Sequence, residues 1–197
     1  MSRPNHPLIL AEDSVLVAID VQSLFLGKLK TEQSQPLLDR ITWVTQVAIR
    51  LGIPTIATAE DIDVLGTVHP EYLSVLPADT SVHTKMTFGL ASEAEIMSEI
   101  GATKRRTTVL IGLETDVCVS HSAIGLLAHG YRVVVIEDAT GSPGSGHEAG
   151  LRRIAGAGGL VVTLKGIYYE WLRTVNASNA FREKNGELMP PPRGISL

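Results

Sequence analysis

Cysteine is almost missing from this chain: its 197 residues include a single one, Cys118. One thiol cannot close an intrachain disulfide, which excludes a small secreted fold held by bridges. A surplus of basic residues is missing too. Lys and Arg number 17 against 21 Asp and Glu, for a formal net charge of −4. Without positive excess the chain carries no electrostatic footprint for nucleic acid or for an anionic membrane surface. No apolar run approaches the length that spans a bilayer, and the longest are strand-sized. The opening "MSRPNHPLILAEDS" lacks the charged-then-apolar order of a secretory signal. The phosphate loops are missing as well. "GSPGSGH" (Gly141 to His147) precedes a helix but has no Gly-Lys-Ser/Thr ending, and no GxGxxG follows the first strand. These absences together leave a soluble cytoplasmic protein that handles a small molecule.

What is present is core material in a regular order. The hydrophobic fraction of 44% supports a substantial core in one domain. "SVLVAID" (Ser14 to Asp20) reads as a buried strand. After it, Leu37, Leu38, Ile41, Val44, Val47, Ala48 and Leu51 recur at helical spacing, with Pro36 in the first turn and Gly52 at the stop. "IPTIATA", "TTVLIGL", "YRVVVIEDA" and "LVVTL" are further strands. Between them lie helical stretches: Ser92 to Ile100, with Ser92 as N-cap and Glu95 completing a capping box, Val117 to Leu127, and "HEAGLRRIAGAG". Tyr168 to Val175 closes the packed region as a helix. This alternation predicts an α/β fold: a three-layer α/β/α sandwich on a mainly parallel sheet of five to six strands. Ile62 to Pro77, with Gly66, Pro70 and Pro77, reads as a long loop with room for one turn of helix. The folded domain covers residues 1–182, and the polar, proline-rich residues 183–197 form a tail, either loose or an arm around a neighbouring subunit.

In open parallel sheets, ligands bind beyond the carboxyl ends of the strands. Asp20 closes the first strand, Cys118 follows the "VLIG" strand after a short turn, and Lys85 ends "SVHTK", a strand end or a loop. Each has an ordinary role when taken alone: a turn acid, a solvated lysine, a small apolar packing residue. Together they make a nucleophile, a base and a cation. A cysteine in the first turn of a helix, capped by Thr115 or Asp116 and near a lysine, is expected to have a lowered pKa. Asp20 is suited to take the thiol proton and return it to a leaving group. The backbone N–H groups of Glu114 and Cys118 are suited to an oxyanion. Phe25, Phe88 and Tyr168 are candidates for an apolar pocket or for core packing. His121 and His129 fall on the nucleophile helix, and His147 on the glycine-rich loop.

The pieces "VAIDVQ" around Asp20 and Gln22, "KMTFG" from Lys85 and "GLETDVCVSHSAIGLLAHGYRVVVIEDAT" around Cys118 resemble the isochorismatase-like cysteine hydrolase superfamily, which includes nicotinamidases and N-carbamoylsarcosine amidases. "HEAGLRRIAGAGGLVVT" and "YYEWLRTV" extend the resemblance over residues 14–181. It implies a catalytic triad of Asp20, Lys85 and Cys118, a cis peptide between Leu113 and Glu114, a substrate contact at Gln22, and a homo-oligomer, dimer or tetramer. The implied reaction is hydrolysis of a small amide-like C–N bond through a thioester; the alternative is a binding or scaffold protein with a vestigial triad. One departure stands out. Nicotinamidases carry an Asp-x-His pair and a further His that hold a metal, whereas "AEDIDVLGTVHPEY" offers only Asp61, Asp63 and His69. No metal and no other cofactor is therefore expected, and nicotinamide is a poor choice of substrate. Isochorismatases proper lack the cysteine, which argues against vinyl-ether chemistry.

Overall fold

A computed structural model describes residues 6–197. Six parallel strands form one sheet: β1 (Ser14–Ile19), β2 (Thr55–Glu60), β3 (Val82–Lys85), β4 (Thr107–Leu113), β5 (Arg132–Gly141) and β6 (Leu160–Val162). Their order across the sheet is β3-β2-β1-β4-β5-β6, and every neighbouring pair is parallel. The helices are α1 (Ser23–Leu26), α2 (Thr31–Arg50), α3 (Ile62–Leu65), α4 (Pro70–Leu73), α5 (Ala94–Ala102), α6 (Ser120–Ala128), α7 (Gly146–Gly156), α8 (Leu164–Leu172) and α9 (Val175–Lys184).

Strand alternation sorts the core into two layers. Leu16 and Ala18 of β1 point to one face and join residues of α2 and α8, such as Leu38, Ile41 and Tyr168. Val15, Val17 and Ile19 point to the other face and join Ile96, Ala123 and Ile154 of α5, α6 and α7. All six residues of β1 and all seven of β4 are buried, because helices cover both faces of the sheet centre. This is the expected three-layer α/β/α sandwich.

Strand order reverses between β1 and β4, so the crevice outside their carboxyl ends is the place where such folds bind ligands. The two strands approach closely there. Ile19 pairs with Gly112, whose φ is +114°, and a Cβ on Gly112 would lie 1.9 Å from the Ile19 carbonyl oxygen. Only glycine fits, and the contact brings the Asp20 and Cys118 turns together.

Several local expectations shift. Helix α5 starts at Ala94, after a 3₁₀ turn at Leu90–Ser92, and no side chain caps it. Ser92 is therefore no N-cap, and the capping box does not form. The stretch 62–77 contains the two short helices α3 and α4. The boundary at 182 falls inside α9, and the following residues fold back onto the α2 face. Leu188 is buried and its carbonyl accepts the Trp43 indole N–H at 2.8 Å, while Met189, Ile195 and Leu197 pack on the same core. Residues 183–197 are thus neither loose nor an outstretched arm. Their few apolar side chains find a groove that the polar average of the segment conceals.

Candidate active site

Three strand ends supply the predicted residues. Asp20 leaves β1 with φ +50°, a left-handed turn that reverses the chain and directs its carboxylate back across the sheet edge. Its backbone N–H donates to the Thr58 carbonyl at 3.0 Å. Lys85 is the last residue of β3, which settles that "SVHTK" ends in a strand. Its Nζ lies 2.9 Å from Asp20 Oδ2, and both side chains are fully buried. The Thr58 hydroxyl donates to Asp20 Oδ1 at 2.9 Å, and Lys85 Nζ donates to the Thr87 carbonyl at 2.8 Å. Burial raises the Asp20 carboxyl above its ordinary value, and Lys85, Thr58 and Cys118 offset only part of that.

Cys118 sits on a π-helical turn, Thr115–Val119, between β4 and α6. The Leu113–Glu114 peptide before it is cis. Neither Thr115 nor Asp116 caps a helix. Thr115 Oγ1 bonds His147 Nδ1 at 2.9 Å, and Asp116 Oδ1 accepts the Ser142 hydroxyl at 2.6 Å. The glycine-rich segment is therefore the clamp that holds the nucleophile turn from the β5–α7 side. The fit is close: a Cβ on Gly150 would lie 2.6 Å from the Thr115 carbonyl oxygen.

The thiol is 2% exposed, and reactive atoms of Asp20, Glu60 and Cys118 all lie within 4.8 Å of one another. Cys118 Sγ donates to Glu60 Oε2 at 3.5 Å. Burial, and after it the charge of Asp20, pushes the thiol pKa well up; Lys85 opposes this and Glu60 adds to it. The expected lowered pKa is thus reversed. A helix N-terminus and one lysine do not outweigh desolvation and two facing carboxylates.

Glu60 is the residue that the motifs missed. The signal was available, since Glu60 ends β2 as Asp20 ends β1. Gln22, predicted to touch substrate, holds Glu60 instead. Its amide oxygen accepts the Glu60 N–H at 2.8 Å, and its amide nitrogen donates to the carbonyls of Glu60 at 2.9 Å and Gly66 at 2.7 Å. The side chain is fully buried and its amide is used on backbone, so Gln22 shapes the site from behind. Glu93 was missed too: its Oε1 accepts from the N–H groups of Met86 and Thr87 and from the Thr87 hydroxyl, fixing the loop whose carbonyl holds Lys85.

The other candidates separate. Phe25 and Tyr168 are core residues, whereas Phe88 is exposed and meets His121 edge-on at 6.3 Å. His129 bonds the Gly125 carbonyl at the end of α6. Asp61, Asp63 and His69 do not converge: His69 Nδ1 accepts the Glu71 N–H as the cap of α4. Among the described residues the only group of ligand type is Asp20, Glu60 and Cys118, and there Lys85 already supplies the positive charge. The residues do not fit a nicotinamidase-type metal.

Comparison with known proteins places the fold and the family. A secreted isochorismatase effector of Phytophthora sojae is 29% identical over 82% of this chain and 78% of its own length. The fold matches YcaC of Pseudomonas aeruginosa with a TM-score of 0.84 at 21% identity, covering 94% of each chain. It also matches the Escherichia coli YcaC product, described as an octameric hydrolase of unknown specificity, with a TM-score of 0.84 at 19% identity over 96% of this chain and 94% of that one. The isochorismatase domain model matches residues 14–166, from the first residue of β1 into α8 and across all three strand ends of the site, and the chain belongs to the isochorismatase family of hydrolases.

Proposed function

We propose that this chain is a cysteine-dependent hydrolase that opens a small amide-like C–N bond, with Cys118, Asp20 and Lys85 as its working triad. The observation that carries the reading is the sealed Asp20–Lys85 pair within reach of the chain's one thiol. The thiol is held neutral at rest, so proton transfer to Asp20 accompanies attack of sulfur on the carbonyl carbon. Lys85 opposes the burial that raises the Asp20 pKa and so favours the charged, accepting form. The N–H groups of Glu114 and Cys118 meet the oxyanion of the tetrahedral intermediate. On collapse the C–N bond breaks, and Asp20 passes its proton to the departing nitrogen. Water then attacks the thioester and gives a proton to Asp20; the C–S bond breaks, and the thiolate takes that proton back. No cofactor enters these steps.

The same proposal takes a small molecule as substrate, with no nucleic acid or membrane partner. Among the described residues no helix is long and apolar enough to cross a membrane. A homo-oligomer is supported by the octameric E. coli structure. The cytoplasmic placement rests on the unpaired thiol alone, and the Phytophthora relative is described as secreted.

Intact-mass analysis after mixing with a panel of small amides and ureides tests the reading. An acyl adduct on Cys118 is expected, together with turnover that falls by at least about 10⁴-fold in Cys118→Ala. Full turnover in that variant would overturn the mechanism. Neither adduct nor turnover across the panel would favour a binding protein with a vestigial triad.

A further inference from the structure

Resting on that reading, we infer that Glu60 is the specificity-determining group of the site: a fixed negative charge beside the nucleophile that selects neutral or cationic carbonyl compounds with an N–H donor near the scissile bond and rejects carboxylates.

Asp20 is neutralised by Lys85 at 2.9 Å, and the thiol carries no charge at rest. Among the described residues, the Glu60 carboxylate has no ion-pair partner. The space around Sγ therefore has one uncompensated negative charge. The loop after Glu60 does not offset it, since residues 61–81 contain Asp61, Asp63, Glu71 and Asp79 and no Lys or Arg, and Lys85, the register partner of Glu60 on β3, commits its ammonium to Asp20 at 2.9 Å.

Position follows from strand geometry. Ile56, Thr58 and Glu60 alternate onto one face of β2; Ile56 packs with the Cys118 layer, and Thr58 bonds Asp20. Glu60 continues that row to the sheet edge, where its carboxylate accepts from Cys118. Asp61 then turns the chain away with φ +40°. Both backbone polar groups of Glu60 are held by the buried Gln22 amide, so the carboxylate starts from a fixed base. Burial separates it from its neighbours. Asp20, Lys85 and Cys118 are closed off, whereas Glu60 is only half-buried and is the charged group that an entering molecule meets.

The chemistry of selection is direct. A carboxylate accepts hydrogen bonds and donates none, so an amide NH₂, a ureido N–H or an ammonium group satisfies it. A substrate carboxylate in the same space would set like charges together in partly desolvated surroundings. A device that fixes the charge of its substrate is the natural use of an anion that the thiol itself gains nothing from, since Glu60 raises the thiol pKa.

The test needs no substrate. Cys118 is the only thiol, so the full chain can be alkylated by neutral iodoacetamide and anionic iodoacetate, each displacing iodide, and followed by intact mass. The ratio of the two rates cancels any change in thiolate fraction. Relative to the same ratio for free cysteine, the wild type is expected to favour iodoacetamide by about tenfold. Glu60→Gln should bring the ratio to within about threefold of free cysteine, whereas Glu60→Asp should keep the preference. Cationic 2-aminoethyl methanethiosulfonate, compared with its neutral methyl analogue, should change in the opposite sense. An unchanged ratio in Glu60→Gln overturns the inference, and so does failure of every reagent to reach Cys118 in the folded wild type. The outcome is independent of turnover. Loss of the triad mechanism would leave these ratios standing, and an unchanged ratio in an active enzyme would remove only Glu60's role.

Discussion

The carboxyl edge of the sheet has two unlike sides, and the nucleophile turn divides them. On the β1–β3 side, Asp20, Lys85 and Cys118 are sealed, with an ion pair at 2.9 Å and almost no exposed surface. On the β5–α7 side lies an open cleft of about 510 Å³, lined by residues such as Glu32, Arg40, Asp138, Ser142 and His147. The roomy side holds none of the three residues of the proposed triad. It does hold the clamp, because His147 and Ser142 reach through to Thr115 and Asp116. Reactivity follows the desolvated, mutually compensating charges, and volume follows the loop. The sealed side perturbs its groups strongly, whereas the open side mainly holds the backbone that carries the thiol.

The widest way to break this contrast is to open the sealed pair. Lys85→Met should destabilise the chain by about 3–5 kcal/mol in urea denaturation, because it strands a buried carboxylate. Adding Asp20→Asn should recover most of that loss, since no charge then remains to solvate. A double variant no more stable than the single one would show that the pair does not hold this edge together. A smaller effect should come from the loop that fixes Lys85. In Glu93→Gln the loop at Met86–Thr87 loosens, and Lys85 lowers the thiol pKa less. Iodoacetamide labelling of Cys118 at pH 8 should fall about threefold and its pH profile should move upward, with Glu93→Asp recovering part of the rate. A Glu93→Gln profile matching the wild type would leave Glu93 with no positioning role.

The open side should answer to pH most weakly. Burial lowers the His147 pKa from 6.5, offset in part by Glu137, Glu148 and Asp116. The folded chain therefore binds the proton less readily than the unfolded chain. Stability from this group is complete above about pH 6.5 and declines as pH falls below it. Melting temperature should drop between pH 7.5 and 5.5, and His147→Gln should flatten the slope. An equal slope in the variant would assign the effect to other groups.

Much of this was readable before the chain folded. Short, near-continuous apolar runs separated by helical spacing predicted the layered sheet, and the strand-end rule singled out Asp20, Lys85 and Cys118. The same rule applied to β2 would have found Glu60, which the motif around Asp61, Asp63 and His69 drew attention away from. Gln22 misled because its motif marks a place in the fold and does not say what its amide bonds to. Ser92 and Glu95 have the spacing of a capping box, yet the helix starts at Ala94 with Glu93 at the N-cap position, and the Glu93 side chain is committed to the Lys85 loop. The tail misled through its average composition, since a few apolar residues were enough to dock it.

The sequence by itself determined the alternation of strands and helices, the three candidate residues Asp20, Lys85 and Cys118, and membership in the family. These are local properties, set by side-chain pattern and by residue type at a strand end. Only the tertiary structure decided that burial and facing carboxylates raise the thiol pKa, that Glu60 lies beside it with no ion pair among the described residues, and that Gln22 and Glu93 serve as supports. Each of these depends on burial and on distances between strands far apart in the chain, where desolvation and facing charges outweigh what any single segment prefers.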